Sequence, residues 1–143
     1  MDSLTDLVEG MLSGLGYCAI GLVLLAVGYK VLDGLLPGDL SAQIYAERNT
    51  NAALVVAAGL IALGTIVTTA IVTSHEEIGR GAIDAAGYGL LGIVLLALTF
   101  VVMDRVTPGD LGVMCTSHER HPAVYVTMAT LVTVGAIVAA AIS

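Results

Sequence analysis

The chain has 143 residues, of which 57% are apolar and 12% charged, against roughly 45–50% and about 25% for a soluble domain. Its formal charge is −7 and its mean hydropathy is +0.97. One Lys and four Arg leave no basic patch, which excludes a nucleic-acid partner. Cys18 and Cys115 are too few and too far apart for a disulfide framework.

The first 13 residues alternate apolar and acidic groups at helical spacing. Leu4, Leu7, Val8, Met11 and Leu12 share one face, with Asp2, Asp6 and Glu9 between them. Ser3 and Asp6 have the spacing of a capping box. Residues 1–13 are therefore expected to form a short amphipathic helix at the interface. No Lys or Arg precedes the first apolar run, and that run is too long for a cleaved signal peptide.

Four apolar windows follow. Residues 51–74, 85–103 and 122–143 carry no charge at all, and residues 11–32 carry only Lys30. About 20 residues of helix cross a ~30 Å hydrocarbon core. A wholly buried soluble core fails as an alternative, because no polar faces remain to meet water. The runs are continuous rather than alternating, so they are helices and not barrel strands.

In the first span Gly14, Gly21 and Gly28 recur every seventh residue. They form a small-residue face where another helix backbone can approach. Ala85, Gly92 and Thr99 repeat that face 71 positions later. The threonines of the second span, Thr65, Thr69 and Thr73, are expected to bond their own preceding turns.

Each odd-numbered span ends in an acidic turn. Asp33 precedes Pro37-Gly38-Asp39-Leu40, and Asp104 precedes Pro108-Gly109-Asp110-Leu111. Pro at the first helical position and Asp in the first turn predict a short interfacial helix after each turn, with Thr107 as N-cap in the second copy. Asp39 and Asp110 are then caps. Asp33 and Asp104 sit at helix C-termini, where the macrodipole disfavours an anion. They are read either as ion-paired with Arg48, Arg105 or Arg120, or as two carboxylates gathering cations at a membrane mouth.

Aligned without gaps, residues 16–40 match residues 87–111 at 13 of the 25 positions, including Tyr17 with Tyr88 and Gly21 with Gly92. Each unit has two spans. The expected fold is therefore an all-α membrane protein with four transmembrane helices, built as two tandem parallel two-helix repeats. The units are residues 14–74 and 85–143, joined by a short loop at residues 75–84.

Four of the five basic residues, Lys30, Arg48, Arg105 and Arg120, flank or lie in the Pro-Gly-Asp loops; Arg80 lies at the other end. The excess of positive charge places both loops in the cytoplasm and both termini outside a cell membrane. Tyr17 and Tyr29 are 12 residues apart, about 18 Å of helix, too short to mark both interfaces. Tyr17 and Tyr88 are thus expected inside the bundle, bonded to a neighbouring helix.

These residues resemble the domain of unknown function 350 family (YjfL-type bacterial and archaeal membrane proteins). The resemblance rests on the Asp followed by a Pro-Gly-Asp-Leu turn, and on Arg48-Asn49-Thr50-Asn51-Ala52-Ala53 opening the second helix. It covers the chain from about Leu12 to Ser143 and implies two tandem two-span units. It implies partners in membrane-stress or polyamine-conjugate systems and no established reaction. The second unit departs from the pattern: Pro122 stands where the first has Asn51, so any role of that Asn belongs to the first unit.

Chemistry-bearing constellations are sparse. His118-Glu119-Arg120-His121 lacks the H-E-x-x-H spacing and an evident third ligand. No nucleophile–base pair or phosphate-cradling loop appears, so neither an enzyme nor a cofactor is expected. The candidate functional residues are Asp33, Asp104, Tyr17, Tyr88, Asn51, Arg48 and Arg120. The expected partners are the lipid bilayer and further copies of the chain. Two functions stand beside each other: a homo-oligomeric channel or small-solute conduit, and a membrane scaffold that recruits a cytoplasmic protein through its acidic loops. An accessory subunit of an enzyme complex is a third. Against proton coupling, the span centres carry no ionisable group.

Overall fold

The computed structural model describes residues 2–74 and 78–143, with side chains described over residues 4–74 and 79–143. Six helical elements follow one another: α1 (Asp2–Leu35), π1 (Ala42–Ala46), α2 (Thr50–Val72), α3 (Ile78–Val106), α4 (Leu111–Thr116) and α5 (Pro122–Ile142). Among the described residues there is no strand. Four of the helices, α1, α2, α3 and α5, are long and apolar enough to cross a membrane.

The helix α2 is the centre of the bundle. Half of its most apolar stretch is buried, against 6% for that of α1. It packs on α1, α3 and α5, most broadly on α5. Leu63, Ile66, Leu131 and Val55 are fully buried between these helices. In lipid the hydrocarbon tails are as apolar as leucine, so helices associate through close packing rather than through escape from water. The small residues permit that packing. Gly28 receives the Leu63 side chain, Gly92 receives Ile66, and Gly135 of α5 lies directly on Ala62 of α2.

Of the small-face residues, Gly28 and Gly92 make close contacts, while Gly21 has only an ordinary one with Val67. Gly14 faces open space and takes no part in packing. It lines an open groove between α1 and α2, across from Gly64, Val67 and Ile71. Residues 2–13 are not a separate interfacial helix either. They are collinear with the span, because no proline or unpaired backbone group interrupts α1 before Leu35. The proposed capping role of Ser3 lies outside the described side chains.

The residues expected to form the 75–84 loop are mostly helical. Ile78 already opens α3, so Arg80 and Asp84 lie in its first turns. His75 lies outside the described residues. The threonines behave as expected: Thr65, Thr69 and Thr73 each donate to the carbonyl four residues before, at 2.8–2.9 Å.

A Cβ built on Gly135 would fall 2.5 Å from Ala62 Cβ and 2.7 Å from its Cα, so the two helices must separate to admit it. Gly135→Ala should lower stability by about 1–3 kcal/mol. Gly64→Ala, with nothing within 4 Å of the added methyl, should leave it unchanged or raise it slightly. Thermal unfolding in detergent, followed by helical circular dichroism, compares the two.

Candidate functional site: the loop end of the bundle

Both Pro-Gly-Asp turns lie at one end of the bundle and touch one another, with Pro37 of the first packed against Gly112 of the second. Their geometry is the same in each copy. Gly38 and Gly109 have φ of +93° and +114°, a conformation that costs a side-chain-bearing residue dearly and glycine nothing. Reversing there, the chain presents the next backbone amides to the preceding helix. Asp33 Oδ1 accepts from Leu40 N at 3.0 Å, and Asp104 Oδ1 accepts from Leu111 N at 2.9 Å. Asp39 Oδ1 accepts from Ala42 N at 3.1 Å, and Asp110 Oδ1 from Val113 N at 3.0 Å. Two carboxylates thus hold the start of each short helix, where free N–H groups and the dipole both favour an anion.

This geometry corrects two expectations. Asp110 is itself the N-cap of α4, so Pro108 and Gly109 lie in the turn before the helix and Thr107 is not the cap. Among the described residues, Asp33 and Asp104 do not pair with Arg48, Arg105 or Arg120. Asp33 has Lys30 at 3.4 Å, an exposed pair of little energetic weight, and Asp104 has its backbone amide. Both acids sit at the end of one helix but serve the beginning of the next. The sequence spacing, seven residues from Asp to Leu in each copy, carried that signal.

The first loop then departs from the second. Residues 42–46 form a π-helical turn, closed by Glu47 N donating to Ala42 O at 3.0 Å. Arg48 follows in the left-handed region at φ +56°, costing about 1–2 kcal/mol in a residue with a Cβ. Asn49 comes next and is 2% exposed. Its Oδ1 caps α2, accepting from Asn51 N at 3.0 Å and Ala52 N at 3.2 Å. Its Nδ2 donates across the bundle to Thr116 O at 2.6 Å.

Asn51, also buried, donates from Nδ2 to Ser117 O at 2.9 Å and to Glu119 O at 2.6 Å. Two asparagine amides therefore satisfy three carbonyls, one at the last residue of α4 and two in the segment leading to α5. A carbonyl left unpaired there would cost about 1–3 kcal/mol. The difference between units at Pro122 now has a physical reason. Pro122 has no N–H and opens α5 as its first residue, while Asn51 reaches across to Ser117 and Glu119 in the segment before it.

Asn49 was not singled out from the sequence. Its signal was present in Asn49-x-Asn51 at a helix start, where a capping Asn is common; its second hydrogen bond crosses 67 residues and has no local trace.

The remaining candidates are scattered. Tyr17 is half-buried and its hydroxyl lies 3.3 Å from Ser74 Oγ, just beyond α2, so it bonds across to a neighbouring element at the end of the bundle rather than in its interior. Tyr88 is 42% exposed, because α3 turns that side outward, so its interior placement is corrected. Arg48 and Arg120 are both exposed at the loop end. His121 Nδ1 accepts from Ala123 N at 3.2 Å and caps α5, and His118 lies 3.7 Å from Glu47 of the other loop. Among the described residues no three metal-ligating side chains converge. Burial pushes the Cys115 thiol up to about 11; a hydrogen bond with Thr127 opposes this and the Asp104 charge adds to it. It is no nucleophile near neutral pH.

Two openings bear on solute passage. The cavity at the bundle centre, between Gly28, Leu32, Gly59, Leu63, Ile93 and Leu96, is apolar and about 20 Å³, room for roughly one water. A wider cleft of about 330 Å³ opens at the loop end between Pro37, Phe100, Asp104, Asp110 and Gly112.

Four apolar helices with both turns gathered at one end define a multi-pass membrane protein. The chain belongs to the family described as Domain of Unknown Function (DUF350), whose model matches residues 6–142. It is similar to a UPF0719 transmembrane protein of Mycolicibacterium paratuberculosis, 33% identical over 140 residues, covering 98% of this chain and 93% of the relative. A UPF0719 transmembrane protein of Mycobacterium bovis is 30% identical over 141 residues, covering 99% and 93%. No solved structure matches the chain.

Asp104→Ala should lower stability by about 1 kcal/mol, while Asp104→Asn, which keeps an acceptor, should lose less; chemical denaturation in detergent measures the difference. Asn51→Ala should release the segment at residues 117–121. Trypsin cleavage after the exposed Arg120 in the folded protein should then become several-fold faster, as read by mass spectrometry of the fragments.

Proposed function

We propose that this protein is a membrane-embedded docking platform, which presents the loop end of the bundle to another protein on the cytoplasmic side. The observation that carries this reading is the Asn49–Asn51 clamp. It fixes the two loops as one preformed surface, so a partner would meet ordered groups and lose little to ordering them. That surface carries exposed Asp39, Glu47, Asp110 and Glu119 beside exposed Lys30, Arg48, Arg105 and Arg120. Asp33 and Asp104 are only partly exposed, and the four acids and four bases that are fully exposed balance. Such a mixed pattern recognises a protein surface of complementary pattern better than a polyanion or a free cation.

The second reading is a conduit between copies of the chain. The exposed apolar face of α1 favours assembly, but the apolar cavity at the centre of one protomer has room for roughly one water, and the span centres carry no Asp, Glu, Lys or Arg.

Two experiments separate the readings. A photo-crosslinking residue placed at Glu47 or Asp110 in native membranes should yield one discrete adduct, absent from a probe at outward-facing Val94 and lost when Arg48 and Arg120 are reversed to Glu. Adducts equally abundant at all three positions would end the platform reading. Purified protein in liposomes should pass no more ions than protein-free vesicles, whether or not Asp33→Asn and Asp104→Asn are present; a flux removed by those substitutions would establish the conduit instead.

A further inference from the structure

The first third of α1 stands above the rest of the bundle. Leu24 lies against Gly89 and Gly28 against Ile93, so α1 and α3 run in parallel at a constant offset of 65 residues. At that offset Ile78, where α3 opens, is level with Ser13. Tyr17 already reaches Ser74, just beyond the end of α2. From Asp33 upward, ~30 Å of hydrocarbon is used up by about 20 residues of helix, which again ends near Ser13. Residues before that point leave both the bundle and the hydrocarbon. They cannot fold down onto the lipid surface while α1 remains one unbroken helix from Asp2 to Leu35.

This projecting part is apolar on one side. Leu4, Val8, Met11 and Leu15 are 67%, 53%, 62% and 69% exposed, and their spacing of four, three and four residues is that of a coiled-coil seam. Cys18 and Leu22, both exposed, continue the same seam into the membrane. Leu7 and Leu12 broaden it on either side. The bundle-facing positions of α1, Leu24, Gly28 and Leu32, lie on another side, so none of the described helices of the same protomer covers the seam. Asp6 and Glu9 fall on the face opposite the seam.

We propose that copies of this chain associate side by side through the outward face of α1, with residues 4–15 forming a parallel coiled-coil seam above the membrane. A second copy is the occupant that these features fit. Membrane insertion orients every copy alike, as a parallel coiled coil requires. The seam residues are uncharged and the acids point away from the contact, so self-association brings no carboxylates face to face. An anionic helix is a poor ligand for anionic lipid, which disfavours the bilayer surface as the occupant. The inference stands apart from the platform reading, since it concerns the opposite end of the molecule.

The sequence also sets its salt dependence. The stretch before Lys30 carries Asp2, Asp6 and Glu9 and no Lys or Arg, so the projecting part of every copy is negatively charged. Copies meeting there repel at long range, and salt screens that repulsion within about 10 Å at 0.1 M.

The test is disulfide trapping of the full chain in native membranes, in a Cys18→Ala background that retains the buried Cys115. Met11→Cys, in the seam, should form covalent dimers at least five-fold more than Glu9→Cys, on the opposite face. Its yield should rise as salt is raised from 20 to 300 mM. Equal trapping at both positions, or none at Met11→Cys in correctly inserted protein, would overturn the proposal. So would a fluorophore at Met11 that is quenched by lipid-borne quenchers, which would give the face to the bilayer. Leu4→Asp with Met11→Asp should abolish the oligomer on native gels while leaving thermal unfolding of the bundle unchanged, because neither side chain is packed. An oligomer that survives the double substitution counts against the seam.

Discussion

Two hydrogen bonds from carboxylate to backbone amide, Asp33 to Leu40 and Asp104 to Leu111, set the form of the loop end. A chain leaving one membrane helix and entering the next must reverse close to hydrocarbon, where unpaired N–H and C=O groups are costly. The Asp at the end of the first helix, the positive-φ Gly and the second Asp solve this together. One acid pairs the first amide of the short helix and the other pairs the third. Everything that follows in each unit, including the level at which α2 and α5 enter the membrane, starts from this turn.

Two turns built on one local device still belong to an asymmetric molecule. Asn49 and Asn51 have no counterparts in the second unit and spend their amides on its backbone. The two halves differ in structure: the first carries the asparagine clamp, and the segment it holds leads into α5, which opens with Pro122 and is capped by His121. The strained Arg48 immediately before the clamp fits this picture, since only a tightly determined surrounding keeps a left-handed arginine.

The two ends of the molecule differ in kind. The loop end is ordered by buried polar contacts and balanced in exposed charge. The other end is acidic and carries a helix that rises above its neighbours. Between them the bundle is closed and apolar, with glycines admitting leucine and isoleucine side chains.

The sequence by itself determined the four apolar helices, the shared side of the two turns and the capping by Asp39 and Asp110, because hydropathy, helix length and turn chemistry are local properties. Even the Asp-to-Leu bond was written in the seven-residue spacing, although the first Asp read as belonging to the helix it ends. Only the tertiary structure decided which glycines pack, that Tyr88 faces outward, that α1 continues unbroken above the bundle, and that Asn49 and Asn51 reach carbonyls more than 60 residues away. Those outcomes depend on the relative height and rotation of helices. In lipid these are set by side-chain packing across elements, and no periodicity within one helix records them.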